Sequence, residues 1–336
     1  MAICAAGKEA AEWREIKMKK LLKNPVISIY IALLILVVIF SFMSPTFFTV
    51  NNILTILKQS APKGVMAIGA MFVMLTGGVD LSVGAEISLT GIVMATMMAK
   101  MQTGILPAVL AAFVIGGIVG LINATLVVKI NIPPMIATMG TSWILQGVSY
   151  TICGGLPITG LTPGFSNFGQ GSVGIIPIPV IVFAIVVAIG AFVLKYMPYG
   201  RHIYSVGSNA EATRLAGINV TFVRMSVFVI CSLLTALAAI ITLSRVNSGQ
   251  PSTGIGQEMD VLTAVVLGGT RFTGGEGKVS GVVAGIIVIG VISNGLVMIG
   301  AGEYIQTIVK GAILILALVI YTIRARVAAN AKARNV

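Results

Sequence analysis

Residues Ile130 to Leu194 read INIPPMIATMGTSWILQGVSYTICGGLPITGLTPGFSNFGQGSVGIIPIPVIVFAIVVAIGAFVL and contain no Asp, Glu, Lys or Arg. One bilayer crossing takes about 20 apolar residues, so this stretch is long enough for two. Gly154, Gly155, Pro157, Gly160, Pro163 and Gly164 interrupt it in the middle. It reads as two membrane helices joined by an uncharged turn. Basic residues resume just outside it, at Lys129, Lys195 and Arg201. Cytoplasmic loops collect Lys and Arg, so the turn faces outward and the topology of the rest follows.

Working outward, the whole chain is 57% hydrophobic and only 10% charged. A soluble domain carries about 25% charged residues, so too few polar groups exist here to cover a water-facing surface. The apolar runs are long and continuous, which favours helices over the short alternating strands of a barrel. Ten spans are expected, at 26–43, 52–75, 85–101, 104–128, 133–153, 175–197, 222–243, 259–270, 279–299 and 304–323. The fold class is an all-α polytopic membrane protein. The eighth span is short and bounded by glycines, as for a broken helix buried against its neighbours. An even count puts both termini on one side. Lys17, Lys19, Lys20 and Lys23 at one end and Arg324, Arg326, Lys332 and Arg334 at the other make that side cytoplasmic. The chain then divides into a basic segment 1–24, a membrane domain 25–323 with an inner loop at 198–221, and a basic tail 324–336. Within 1–24, residues 8–23 read either as an interfacial amphipathic helix or as a disordered basic tail.

The net charge of +12 gathers at span ends, which is a topology signal and not a nucleic-acid surface. Lys100 and Arg245 are single exceptions on the outside. Lys58 and Lys63 lie inside the second span, so that helix either starts later or lines a wet cavity. Lys310 lies inside the last span, where it snorkels to the outer interface or lines a pathway. Cys4, Cys153 and Cys231 have no CxxC spacing, and His202 is the only histidine. A disulfide framework, a His-based metal centre and a Ser-His-Asp triad all lack parts. Gly274-Gly-Glu-Gly-Lys-Val-Ser280 departs from a phosphate loop, because Val279 follows the lysine and no α/β domain surrounds it. It reads as a tight turn, and the chain binds no ATP, metal or other cofactor.

The longest hydrophilic stretch inside the chain is 199–221. Ser208 followed by Glu211 predicts a capping box, and Gly217 is placed to end a helix in a left-handed turn. The result is a helix of about two turns over 209–216, marginal alone and sensible as a docking element. Asn123, Gln146, Asn294 and Gln306 are polar residues within apolar spans. They serve either a polar solute's route or helix–helix hydrogen bonds. Asp80, among Gly77, Gly78 and Gly84, is placed to cap the next helix, with function as the other reading. Pro133-Pro134 marks a span entry, because proline breaks a helix running through it. Leu75–Gly84 and Leu267–Gly275 both end a span in glycines, either as an internal repeat or as a coincidence of Gly-rich turns.

Four segments together resemble the ribose-type permease subunits of bacterial ABC importers: Leu75-Thr-Gly-Gly-Val-Asp-Leu-Ser-Val-Gly84, Pro133-Pro-Met-Ile-Ala-Thr-Met-Gly140, Gly200 to Ile218, and Ala264-Val-Val-Leu-Gly-Gly-Thr270, which includes Gly268 and Gly269. They occur in order over nearly the whole chain after the first helix. The resemblance implies a multi-pass subunit of the bacterial inner membrane that is not itself an enzyme. It also implies a second permease subunit, identical or related, two cytoplasmic ATPase subunits that use ATP and magnesium, and an external sugar-binding protein. Ser208, Asn209, Ala210, Glu211, Ala212, Thr213, Arg214, Leu215, Ala216 and Gly217 then form the coupling helix that enters the ATPase. Ala212-Thr213, Arg271 and Phe272 depart from the usual pattern at places that tune partner choice. The rival expectation is an ion-coupled secondary transporter, which calls for acidic residues or unwound ion sites near the midplane. A membrane enzyme lacks an acid/base or metal cluster, and a scaffold has no use for a capped cytoplasmic helix.

Overall fold

The computed structural model describes residues 25–333. Residues 8–23, read above as a helix or a tail, lie outside them. Helices coincide with all ten expected segments, the eighth of them short: α1 (Pro25–Met43), α2 (Val50–Leu75), α3 (Val83–Ala99), α4 (Ile105–Ala124), α5 (Pro134–Cys153), α7 (Ile178–Tyr196), α10 (Val220–Val246), α11 (Gln257–Leu267), α12 (Val279–Met298) and α13 (Glu303–Ala333). Short helices α6 (Ser166–Gln170), α8 (Pro198–Ser208) and α9 (Ala210–Leu215) and a hairpin of β1 (Ser172–Val173) and β2 (Ile176–Pro177) complete the described chain. A wider π turn, Thr125–Lys129, extends α4. Among the described residues, four segments are long and apolar enough to cross a membrane by length and composition: Ile105–Lys129, Ile178–Tyr196, Val220–Val246 and Val279–Met298.

Helix α4 is built inside out relative to a helix of a soluble protein. Helix α4 exposes Leu106, Leu110, Val114, Ile118 and Leu121, one row at helical spacing, and buries Ala108, Ala112, Gly116 and Gly120. Lipid is as apolar as leucine, so burying large side chains between helices brings little, whereas small residues let backbones approach and gain dispersion contacts. The partner of that small face is α10, the most central helix, which packs on both α2 and α4. A Cβ on Gly120 would stand 2.7 Å from the Val229 Cα, and one on Gly116 would stand 2.8 Å from the Ser232 carbonyl oxygen. On the other side of α10, a Cβ on Gly69 would meet the Cys231 Cα at 2.8 Å.

Cross-chain contacts sort the connections to two ends of the bundle. At the end read as outer, Ile158 and Gly249 form a two-way backbone bridge. There the Gly169 amide also donates to Ser244 Oγ, and Lys58 donates to the Gln170 carbonyl. At the end read as inner, the Gly275 amide donates to the Leu75 carbonyl and the Tyr204 hydroxyl to the Gly277 carbonyl. The uncharged central turn is more ordered than its glycines suggest, carrying α6 and the β1–β2 hairpin. The inner stretch 198–221, expected as a loop around one short helix, instead continues α7 through a break at Met197–Pro198 into α8 and then α9. The last helix runs on to Ala333, into the segment expected to be a tail. Ala, Arg and Lys are strong helix formers, and cations near a helix C-terminus complement its dipole.

Replacing Gly120 by Leu should lower stability by about 1–3 kcal/mol through overpacking against α10. The same replacement at Gly117, where a Cβ would find open space, should be neutral. Thermal unfolding of the detergent-solubilised variants separates the two.

Candidate functional site

Two helices start inside the bundle instead of at its end, and their starts meet. Before α3 the chain is non-helical from Gly78 to Ser82, and before α11 it turns from Asn247 to Gly256. The first stretch is buried throughout and the second at Gly249, Pro251 and Gly254, and buried backbone must find partners in the protein, since lipid offers none. The Leu81 amide donates to Thr138 Oγ1 on α5 at 3.1 Å. The Gly254 amide donates to Ser88 Oγ on α3 at 3.0 Å. A Cβ on Gly254 would collide with the Gly84 carbonyl, and one on Gly84 would collide with the Glu258 carboxylate. Only glycine lets these two starts approach so closely.

Asp80, Glu86, Glu258 and Asp260 gather at these starts, as the amides of a helix N-terminus favour. Asp80 does not cap α3 in the strict sense. Its Oδ1 accepts from the Ser82 amide at 2.9 Å and the Ser82 hydroxyl at 2.6 Å, which tightens the turn leading into the helix. The Asn123 side-chain amide donates to the same Ser82 hydroxyl at 2.8 Å, fixing the turn to α4. Asp260, in the first turn of α11, is matched by two cations. Lys63 of α2 and Lys310 of α13 both donate to its Oδ2, at 2.5 and 3.0 Å. The carboxylate is 6% exposed, and the two lysines are 24% and 31% exposed. Lys310 therefore does not snorkel outward: the nearby carboxylate offers its ammonium a closer partner than the interface. Lys63 needs no later helix start for the same reason. Neither pairing was visible in the sequence, where the three residues lie in separate spans. The available signal was charges of opposite sign in different apolar helices.

Residues 52–318 match the family described as "Branched-chain amino acid transport system / permease component". The chain belongs to this family of transport permeases. Among its relatives, the ribose import permease protein of Escherichia coli (strain K12) is 40% identical over 294 residues, 86% of this chain and 91% of that one. The ribose import permease protein of Bacillus subtilis (strain 168) is 39% identical over 87% of this chain and 91% of its own. The galactose/methyl galactoside import permease protein of Escherichia coli (strain K12) is 34% identical over 88% and 94%. No solved structure matches.

The permease presents a second feature at its inner end. Helix α8 is tied down by the Tyr199 hydroxyl, 2.6 Å from Ser226 Oγ on α10, and by the Tyr204 bond to the 270–278 turn. Burial pushes both tyrosine hydroxyls up from their ordinary pKa. Helix α9 follows with a cap one residue later than the spacing predicted. Asn209 Oδ1 accepts from the Ala212 amide at 2.9 Å, while Ser208 ends α8 and donates to the Tyr204 carbonyl. Asn is at least as good a cap as Ser, and Ser208 is taken up by the preceding helix. Gly217 takes the expected left-handed conformation, with φ +82°. Thr213 is buried, whereas Glu211, Ala212, Arg214, Leu215 and Ala216 are exposed, Leu215 at 78%. The Arg214–Glu211 ion pair is exposed and contributes little.

The four polar residues of the apolar helices are not brought together. Asn123 bonds Ser82, Gln146 donates to the Pro251 carbonyl at 2.6 Å, and Gln306 donates to the Ala301 carbonyl at 3.1 Å. Asn294 and Asn52 exchange two amide bonds of 3.0 Å, joining α12 to α2. Pro134 occupies the first turn of α5 with Pro133 before it, as the sequence places them. Gly77 and Gly269 take positive φ at helix ends, and a Cβ on Gly268 would press on the Gly281 backbone of α12. The 274–275 glycines also have positive φ, and Arg271 pairs with Glu276 across that turn.

Asp260→Asn should destabilise the permease by about 1–3 kcal/mol, because it leaves two partly exposed ammoniums side by side without their shared carboxylate. Lys63→Met or Lys310→Met alone should cost clearly less, since Asp260 retains one partner. Thermal unfolding of the three variants reads this order directly. Asn209→Ala should cost about 1 kcal/mol of α9 stability, and Ser208→Ala should leave the cap intact. Hydrogen exchange at the 211–213 amides tells them apart.

Proposed function

We propose that this chain is the membrane subunit of an ATP-driven importer for a small sugar, ribose or a similar monosaccharide. The observation that carries the reading is its 40% and 39% identity to ribose import permeases over nearly nine tenths of its length. The galactoside permease relative supports the wider class of monosaccharides. The sequence likeness runs through the inner-end segment 200–218 as well as the membrane helices. An ion-coupled carrier is the less favoured reading, since the relatives are import permeases.

In this reading the membrane domain, 25–323, crosses the bilayer ten times in the bacterial inner membrane, with segments 1–24 and 324–336 in the cytoplasm. The two-ended sorting of the connections supports the alternation. A second permease subunit completes the pathway, and an external sugar-binding protein delivers the solute. Two ATPase subunits bind the ATP and magnesium, and this chain binds neither. Residues 208–217 enter the ATPase. Their exposed face, with Leu215 foremost, is matched to a groove in a partner and has no counterpart in this chain. Movement is passed on because α8 is bonded both to α10 and to the 270–278 turn, which in turn is bonded to the end of α2. ATP must bind one facing state more tightly than the other for this to drive transport. Gln146 and Gln306, both partly exposed, are candidates for the route. Asn123 and Asn294 are enclosed, and their role there is to join helices.

Cells lacking the importer and given back the whole operating complex should take up radiolabelled ribose. Uptake unaffected by loss of this chain would sink the reading. Ala216→Asp puts a charge on the exposed end of α9 and should abolish ATPase stimulation by the loaded binding protein, with membrane insertion unchanged. Full stimulation would make the helix a mere connector.

A further inference from the structure

Lys63 and Lys310 remain partly exposed while they pair with Asp260. A charge at membrane depth faces the protein interior or water, not lipid. The residues leading to each lysine decide between these. On α2, Asn51, Thr55 and Gln59 precede Lys63 at four-residue intervals, and all three are exposed. That spacing stacks them on one face of the helix. The lipid-facing row of α4 at the same spacing is wholly apolar, so a polar row of this length has a different neighbour. On α13, Glu303, Gln306 and Thr307 precede Lys310, each at least partly exposed and on its side of the helix. Both rows start at the same end of the bundle, where Asn52 pairs with Asn294 near the end of α12. Both finish at the same carboxylate oxygen.

We propose that α2 and α13 form the wall of a water-filled funnel that opens at the outer end and closes at Lys63–Asp260–Lys310, and that the solute enters by it. The proposal rests on the permease reading above and adds where the route runs. The wall offers carboxamides, two hydroxyls, the Glu303 carboxylate and ammoniums, which together donate and accept hydrogen bonds and fit a small uncharged solute rich in hydroxyls. The ionic floor sets the depth at which that solute halts before the subunits rearrange. Because Asp260 holds two cations, either α2 or α13 can move away without stranding the carboxylate.

The test uses cells carrying the whole importer, with Cys4→Ser, Cys153→Ser and Cys231→Ser in this chain. Single cysteines are added as Thr55→Cys and Gln59→Cys on the polar row, and as Leu110→Cys and Ile189→Cys on apolar exposed faces. A charged, membrane-impermeant methanethiosulfonate is applied from outside. Positions 55 and 59 should react roughly a hundredfold faster than 110 and 189, the scale on which lipid excludes a charge. Equal rates at the four positions overturn the funnel. Ribose uptake is measured in parallel, and complete modification at Gln59→Cys should stop it; unchanged uptake overturns the funnel as the route. Fast labelling at 55 and 59 in an importer that never takes up ribose overturns the sugar reading instead and keeps the funnel.

Discussion

Inside a bilayer no water is available to complete an unfinished hydrogen bond or to solvate a charge, so each polar group must be answered by the protein. The helix starts within this permease meet that demand in part, since Asp80 Oδ2 and the Asn123 side-chain oxygen there have no hydrogen-bond partner. Two helices begin within the bundle, and each beginning leaves amides and an entering strand of backbone to be satisfied. The start of α3 is answered by Thr138 and by the Asp80–Ser82–Asn123 chain, and the start of α11 by Ser88. Asp260 is answered by two lysines from helices on either side of it. Placing a helix start there costs a great deal without these partners and little with them.

The same medium explains what is packed and what is left bare. With lipid outside, α4 displays its leucines and Val114 while burying small residues, whereas the central α2 and α10 bury large ones such as Met66, Met71 and Phe228. Close backbone approach, not exclusion of water, holds α10 against α4 and α2. The polar rows of α2 and α13 are the exception to this apolar exterior, and their position above the ionic group is what gives one side of the molecule a distinct chemistry.

At the end read as inner the glycine-rich connections pack tightly together. The 274–275 turn, the end of α2 and the end of α8 meet within hydrogen-bond distance, and a side chain at Gly207, Gly274 or Gly277 would push them apart. Helix α9 is held to this cluster only through α8 and a few contacts with α10, with most of its own surface free.

Much of this was legible along the chain. The long uncharged runs, the basic residues at alternate ends, the Pro133-Pro134 entry and the left-handed Gly217 are local or periodic signals, governed by lipid solubility and backbone sterics that act on each segment alone. The short eighth span was also visible, because its glycines bound it. The cap of α9 moved from Ser208 to Asn209 because α8, hidden in a hydrophilic stretch, had already claimed the serine. What only the tertiary structure decided was pairing across distance: Lys63 and Lys310 on Asp260, Asn52 with Asn294, and Gly84 against Gly254. Composition states that a buried charge needs a partner, but which of several lysines supplies it depends on how the helices rotate and rise against one another, and that is set by packing over the whole bundle.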